Sequence, residues 1–198
     1  MVDFNSSKTR LNLARAFAGE CQDGAKYQFL AKQALNEGYY HLQMLLKTHA
    51  KNEMAHAKRF YDLIIENGGS QKNIDISGGY SFTQGDLLTA IEDTMAVEDS
   101  QSMVVYPEFE KIAEEEGYPE IAKAFALAGT VENCHKLLLK QVYDKLKNGK
   151  LYKSTDPVKW KCSNWGFEHT EKVCWEECPS CLMEQGYAEI QIDMNSGD

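Results

Sequence analysis

The chain has 198 residues, a formal net charge of −9, six cysteines and five histidines. That length holds one good-sized core and a small appendage. The acidic balance, with no basic cluster rising above it, argues against a nucleic-acid groove. No run of 18 apolar residues exists to span a membrane.

The first residues, Met1-Val2-Asp3-Phe4-Asn5, lack the charged and apolar regions of a signal peptide, so the chain is expected to be cytoplasmic. Apolar Leu11, Leu13, Ala14, Phe17, Ala18, Phe29 and Leu30 recur at helical spacing and predict a first helix over about 8–36. A turn signal, Asn36-Glu37-Gly38, leads into a second helix over 39–67, stopped by Gly68-Gly69. Residues 71–85 contain Gly78-Gly79 and little periodicity. A loop that long inside a compact domain normally has a topological job, here the single long crossover of a ferritin-like bundle. A third helix is predicted over 84–116, bent near Pro107. Glu116-Gly117-Tyr118-Pro119 marks the next turn, and a fourth helix runs from Pro119 to the stop at Asn148-Gly149. The predicted organisation is all-α: a four-helix bundle over 1–149, a polar linker over 150–157, and a small domain over 158–198. Four of the six cysteines crowd into 162–181. A segment that short cannot bury a sufficient core unaided, so a metal staple is expected there.

Two Glu-x-x-His pairs stand out, Glu53…His56 and Glu132…His135. Residues three apart share a helix face, so each pair can present a carboxylate and an imidazole together. Either pair alone would be an ordinary solvated helix face. Each, however, follows another glutamate, Glu20 and Glu98, by 33 and 34 positions, with a turn signal near the midpoint. At about 1.5 Å of rise per residue, the chain climbs, turns and returns each pair to the height of its partner. Four carboxylates and two imidazoles in a four-helix bundle are the ligand set of a carboxylate-bridged di-iron centre.

Ala16-Phe17-Ala18-Gly19-Glu20, Glu53…His56-Ala57-Lys58-Arg59, Tyr106-Pro107-Glu108-Phe109, Glu115-Glu116-Gly117-Tyr118 and Lys159-Trp160-Lys161-Cys162 together resemble the rubrerythrin family over nearly the whole chain. The resemblance implies a ferritin-like di-iron bundle joined to a rubredoxin-like iron domain. It implies a non-haem peroxidase that reduces hydrogen peroxide to water in oxidative-stress defence. Electrons would come from an external donor such as a rubredoxin or an NAD(P)H-dependent reductase, relayed through the tail iron within a homodimer. By that resemblance Glu20, Glu53, His56, Glu98, Glu132 and His135 hold two irons, and the tail holds one. Tyr27 and Tyr106 fall where the family places tyrosines beside the ligands; they would orient carboxylates or supply protons, or else be ordinary core tyrosines.

Two departures stand against it. Where the family carries a further glutamate, three residues after Glu98, this chain has Gln101, and a neutral amide is a poor ligand for ferric iron. In the tail, Cys178-Pro179-Ser180-Cys181 is an intact knuckle, but Cys162-Ser163-Asn164-Trp165 has tryptophan in place of the second cysteine. Three outcomes are open: a site rebuilt with Cys174, a zinc or three-thiolate site, or a metal-free vestige with Trp165 as packing. Cys21 and Cys134 are expected to be buried structural thiols. Asp99 and Glu114-Glu115-Glu116 should be solvated, and His41, His49 and His169 surface or packing residues. Two other functions compete: a ferroxidase or iron-handling protein using the same six ligands, which Gln101 favours, and a thiol-based metal or redox sensor.

Overall fold

The computed structural model describes residues 2–70 and 73–193, and the predicted four-helix bundle is what it contains. Helix α1 (Lys8–Asn36) and α2 (Tyr40–Gly68) form the first hairpin. Its turn holds Gly38 at φ +81°, a left-handed conformation that glycine adopts without a Cβ penalty. Ser7 caps α1 by accepting from the Arg10 N–H at 3.0 Å. The Glu116 carboxylate caps it as well, accepting from the N–H groups of Lys8 and Thr9 at 3.0 and 2.8 Å. Glu116 is therefore not the solvated residue the sequence suggested; the partner it caps lies more than a hundred residues away.

The chain then crosses over to α3 (Leu87–Ser100), with no regular structure among the described residues of the crossover. Asp86 caps this helix by accepting from the Thr89 N–H at 2.9 Å, so it begins a few residues later than predicted. Asp93 of α3 fastens the crossover, accepting from Ser81 and Thr83 at 3.0 and 2.7 Å. A π-helical turn, Gln101–Val105, joins α3 to α4 (Tyr106–Glu116), with the Tyr106 N–H donating five residues back to the Gln101 carbonyl. Pro107 explains why the helix departs from α geometry here: it has no N–H to donate, and its ring crowds the preceding turn. The wide turn passes close to α5 (Pro119–Lys147), where a Cβ added to Gly129 would touch the Tyr106 side chain at 3.4 Å.

Apolar packing divides the bundle into two layers. Leu13, Phe60, Leu63, Tyr106, Ile121 and Phe125 fill one, and Tyr27, Leu30, Leu42, Leu46, Leu139 and Val142 the other. The glutamates singled out by spacing lie between them, so water is excluded from above and below.

The tail contributes a two-stranded antiparallel sheet, β1 (Lys153–Lys161) with β2 (Glu168–Val173), pairing Trp160 with His169. It docks on the α1–α2 turn of its own bundle. Tyr187 stacks on Tyr40 with ring centroids 4.3 Å apart, the Ile190 N–H donates to His41 at 3.1 Å, and Ile190 and Leu151 join the lower core layer. Gly186 sits so close to the Gly38 carbonyl that any side chain would collide with it. Among the described residues no helix is long and apolar enough to cross a membrane.

Candidate metal centre

Four helices each deliver their predicted residue to one point. Glu20 comes from α1, Glu53 and His56 from α2, Glu98 from α3, and Glu132 and His135 from α5. Their donor atoms form two overlapping groups, Glu20-Glu53-His56-Glu132 and Glu53-Glu98-Glu132-His135, each with all donors within 4.8 Å of one another. Glu53 and Glu132 belong to both groups; Glu20 and Glu98 each belong to one. His56 Nδ1 lies 3.2 Å from Glu53 and 3.0 Å from Glu132, and His135 Nδ1 lies 2.8 and 3.1 Å from the same pair. The four glutamates and His135 are buried, whereas the His56 side chain keeps 18% of its surface exposed.

Both oxygens of Glu53 and of Glu132, one of Glu98 and Nδ1 of His135 are buried without an aligned hydrogen-bond partner among the described residues. Leaving such groups unpaired is costly, and four carboxylates in one dry pocket repel one another. Two cations would satisfy both deficits, held by Glu20, Glu53, His56, Glu98, Glu132 and His135, of which Glu53 and Glu132 offer donors to both groups. The donor set fits: carboxylate and imidazole suit iron and leave open positions.

The proton inventory tells the same story. Burial, then neighbouring carboxylates, push Glu20 up to about 8 and Glu98 up to about 10. Burial opposes charging His56 and His135, yet the carboxylates around them prevail and raise them to about 12 and about 10. Burial likewise opposes ionising Glu53, but the two imidazoles prevail and lower it to about 2. The cluster thus gathers protons to balance its charge, and protons are what a metal displaces.

Both tyrosines reach the cluster. The Tyr27 hydroxyl donates to Glu98 at 2.5 Å, and the Tyr106 hydroxyl donates to Glu20. His49 packs as expected, stacked on His135 at 4.3 Å; burial and the neighbouring His135 push it down to about 4, so it stays neutral. Sequence reasoning missed Asp23, three residues after Glu20 on the same face of α1. Gln101, three residues after Glu98, donates its amide to Asp23 at 2.8 Å. Burial raises the Asp23 carboxyl to about 6, against the lowering effect of that bond. The i, i+3 spacing from Glu20 was the available signal. A cavity of about 410 Å³ between the crossover and α1, α3 and α4 opens onto this pair and is also lined by Gly19, Tyr80 and Tyr106. Cys21 is half-buried and Cys134 exposed, so neither is the buried thiol expected; the inward faces of their helices belong to the ligands.

In the tail, Cys162, Cys178 and Cys181 lie within 4.8 Å of one another. Cys174, the residue of the rebuilt four-thiolate alternative, is not among the three. It is buried in a separate apolar cluster with Trp160 and Ala188, where burial pushes its thiol up to about 12. Trp165 is 70% exposed and so does not pack.

A ferritin-like bundle enclosing a carboxylate and imidazole cluster, with a cysteine-bearing tail, is the class of protein these observations define. The rubrerythrin family model matches residues 12–143, and the chain belongs to the rubrerythrin family. It is 32% identical over 191 residues to the rubrerythrin of Clostridium perfringens, covering 96% of this chain and 97% of that one. It is 33% identical over 191 residues to rubrerythrin-1 of Clostridium acetobutylicum, with the same coverage. A nigerythrin structure shares the fold with a TM-score of 0.61 at 24% identity, covering 96% of this chain and 94% of that one. The bacterioferritin of Desulfovibrio desulfuricans, which has a di-iron site, aligns with a TM-score of 0.55 at 22% identity, over 73% of this chain and 87% of that one. The family is one of di-iron oxidative-stress proteins.

Proposed function

We propose that this chain is a non-haem di-iron peroxidase that reduces hydrogen peroxide to water, held in the cytoplasm. The observation that carries this reading is the largely buried six-residue cluster, in which two glutamates are shared and Glu98 and Glu20 each accept a hydrogen bond from a tyrosine hydroxyl. Two ferrous ions held by Glu20, Glu53, His56, Glu98, Glu132 and His135 would supply the two electrons that, with two protons, convert H2O2 to two waters. The protein's part is to position, to exclude water and to deliver protons. Peroxide entering the cavity beside α1 meets Asp23 and Tyr106; Tyr106 holds its proton at neutral pH, and Asp23, raised to about 6, holds one in mild acid and gives it up as pH rises through that value. The apolar layers above and below keep bulk water from the cluster.

Reducing equivalents come from an external donor such as a rubredoxin or an NAD(P)H-dependent reductase. A relay through the tail would need a redox-active ion there. It would also need a second subunit, because the tail docks at Tyr40, about 20 Å of helix rise below Glu53.

The test is a peroxide titration of anaerobic protein holding two ferrous ions per chain. One peroxide should oxidise both ions, without release of dioxygen and without iron accumulating beyond two per chain. Gln101 favours the ferroxidase reading instead, because it removes an anionic ligand. Rapid oxidation by dioxygen with continued iron uptake would establish that reading and overturn the peroxidase.

Two further outcomes are expected. Tyr106→Phe should keep both irons while lowering peroxide turnover about a hundredfold, the scale of a lost general acid. Tyr27→Phe should lower it less, since Tyr27 is fully buried and does not line the cavity. Gln101→Glu adds a carboxylate beside Asp23; iron affinity should rise about tenfold. The like charge also raises the Asp23 pKa above about 6, so the fall in turnover at high pH should move to higher pH. An unchanged pH profile would remove Asp23 from proton delivery.

A further inference from the structure

The two cysteine loops of the tail are built alike. In the first, the Gly166 N–H donates to the Cys162 carbonyl at 2.7 Å and the Cys162 N–H to the Phe167 carbonyl at 2.8 Å. In the second, the Leu182 N–H donates to the Cys178 carbonyl at 2.9 Å and the Cys178 N–H to the Met183 carbonyl at 2.8 Å. Gly166 and Leu182, each four residues after the leading cysteine, are both left-handed, with φ of 75° and 59°. Leu182 is the only non-glycine residue with positive φ among the described residues, a strain accepted to keep the loop's shape. Matching the loops position by position sets Trp165 where the second loop carries Cys181.

The backbone therefore forms two metal knuckles, and one of their four ligand positions holds a side chain with no metal-binding atom. Three thiols remain, the sulfurs of Cys162 and Cys181 3.6 Å apart. The backbone N–H groups of Asn164 and Trp165 are directed at the Cys162 sulfur, and that of Met183 at the Cys181 sulfur. Such bonds stabilise thiolates and orient them as ligands. Three thiolates do not make the four-sulfur site of a rubredoxin-type iron.

We propose that the tail is a three-thiolate zinc site: Cys162, Cys178 and Cys181 bind the ion, and an exchangeable solvent ligand takes the fourth position, where Trp165 replaces cysteine. Zinc has no redox chemistry and no geometric demand from its d electrons, and it accepts three protein ligands with one open position. Thiolates are soft donors that suit it, and binding releases the protons of the three thiols. The ion staples a segment whose own core is little more than Trp160, Cys174 and Ala188. Because zinc carries no electrons, reductant reaches the bundle without passing through the tail.

The experiment uses the full chain with its bundle already loaded with iron. Offered zinc, it should retain one zinc per chain through dialysis. Offered ferrous iron alone and then oxidised, it should show no ferric–thiolate absorption. With cobalt in place of zinc, the tail should show thiolate-to-cobalt charge transfer and tetrahedral d–d bands that shift on adding imidazole. Trp165→Cys should abolish the imidazole response and create ferric–thiolate absorption. Ferric–thiolate absorption in the unaltered chain that disappears in Cys174→Ser would overturn the proposal, as would failure to retain any metal at the tail.

Discussion

Glu53→Gln is expected to cost the protein both of its iron ions, whereas Glu20→Gln should cost one. The difference follows from topology. Glu53 offers donor atoms to both halves of the cluster, and Glu20 to the half shared with His56 only. Glutamine keeps the volume and the buried position, so the helices should remain folded, but an amide brings no charge and only one good donor oxygen. Losing a shared carboxylate removes a ligand from each ion and the charge that held them together. Iron content should fall from two per chain towards zero, and peroxide turnover at least about a hundredfold. That exceeds the tenfold to hundredfold effect typical of groups that merely support a ligand. Glu132→Gln should behave like Glu53→Gln, and Glu98→Gln like Glu20→Gln. Iron counted after dialysis, with helix content checked by circular dichroism, decides it. Equal losses from all four variants would mean that Glu53 and Glu132 are not shared.

Much of this arrangement was legible because it depends on local periodicity. The helix faces, the Gly38 and Gly117 turns and the matched spacing of Glu20 with Glu53 and of Glu98 with Glu132 are properties of short stretches and of a rise per residue. The features that sequence reasoning missed depend on distant partners. Pro107 announced an irregularity, but the π turn also needs Gly129 of α5 to leave room beside Tyr106. Asp23 acquires meaning through Gln101, and Glu116 through the start of α1, each across the bundle. Cys174 was left open in the sequence for the converse reason. It is near Cys178 in the chain, yet it packs with Trp160 and Ala188 in a core that only the folded tail creates.

Without metal, the protein should lose stability as pH rises, and with metal that loss should disappear. In the metal-free state Glu20 and Glu98 hold protons up to about 8 and about 10, against an ordinary 4.5. The native state therefore binds more protons than the unfolded chain from about pH 4.5 upward, and stability declines across that range. His56 and His135 act in the same direction. Their raised values, against an ordinary 6.5, contribute stability that is complete below 6.5 and lost as pH climbs through about 10 to about 12. Glu53, lowered to about 2, contributes stability above 4.5 that is lost only under stronger acid, outside this window. Metal ions replace those protons, so affinity rises with pH and offsets the decline. At a free metal concentration of a thousand times Kd, each site adds about 4 kcal/mol. For a chain of this length that is on the order of 10 °C in Tm per site. Melting curves from pH 5.5 to 8.5 should converge in acid and separate towards alkali, the metal-free curve falling while the loaded one stays level above about pH 6.5. Parallel curves would mean that the cluster's protons are not what the metals displace. Collapse of the separation in Glu53→Gln would tie it to the shared carboxylates.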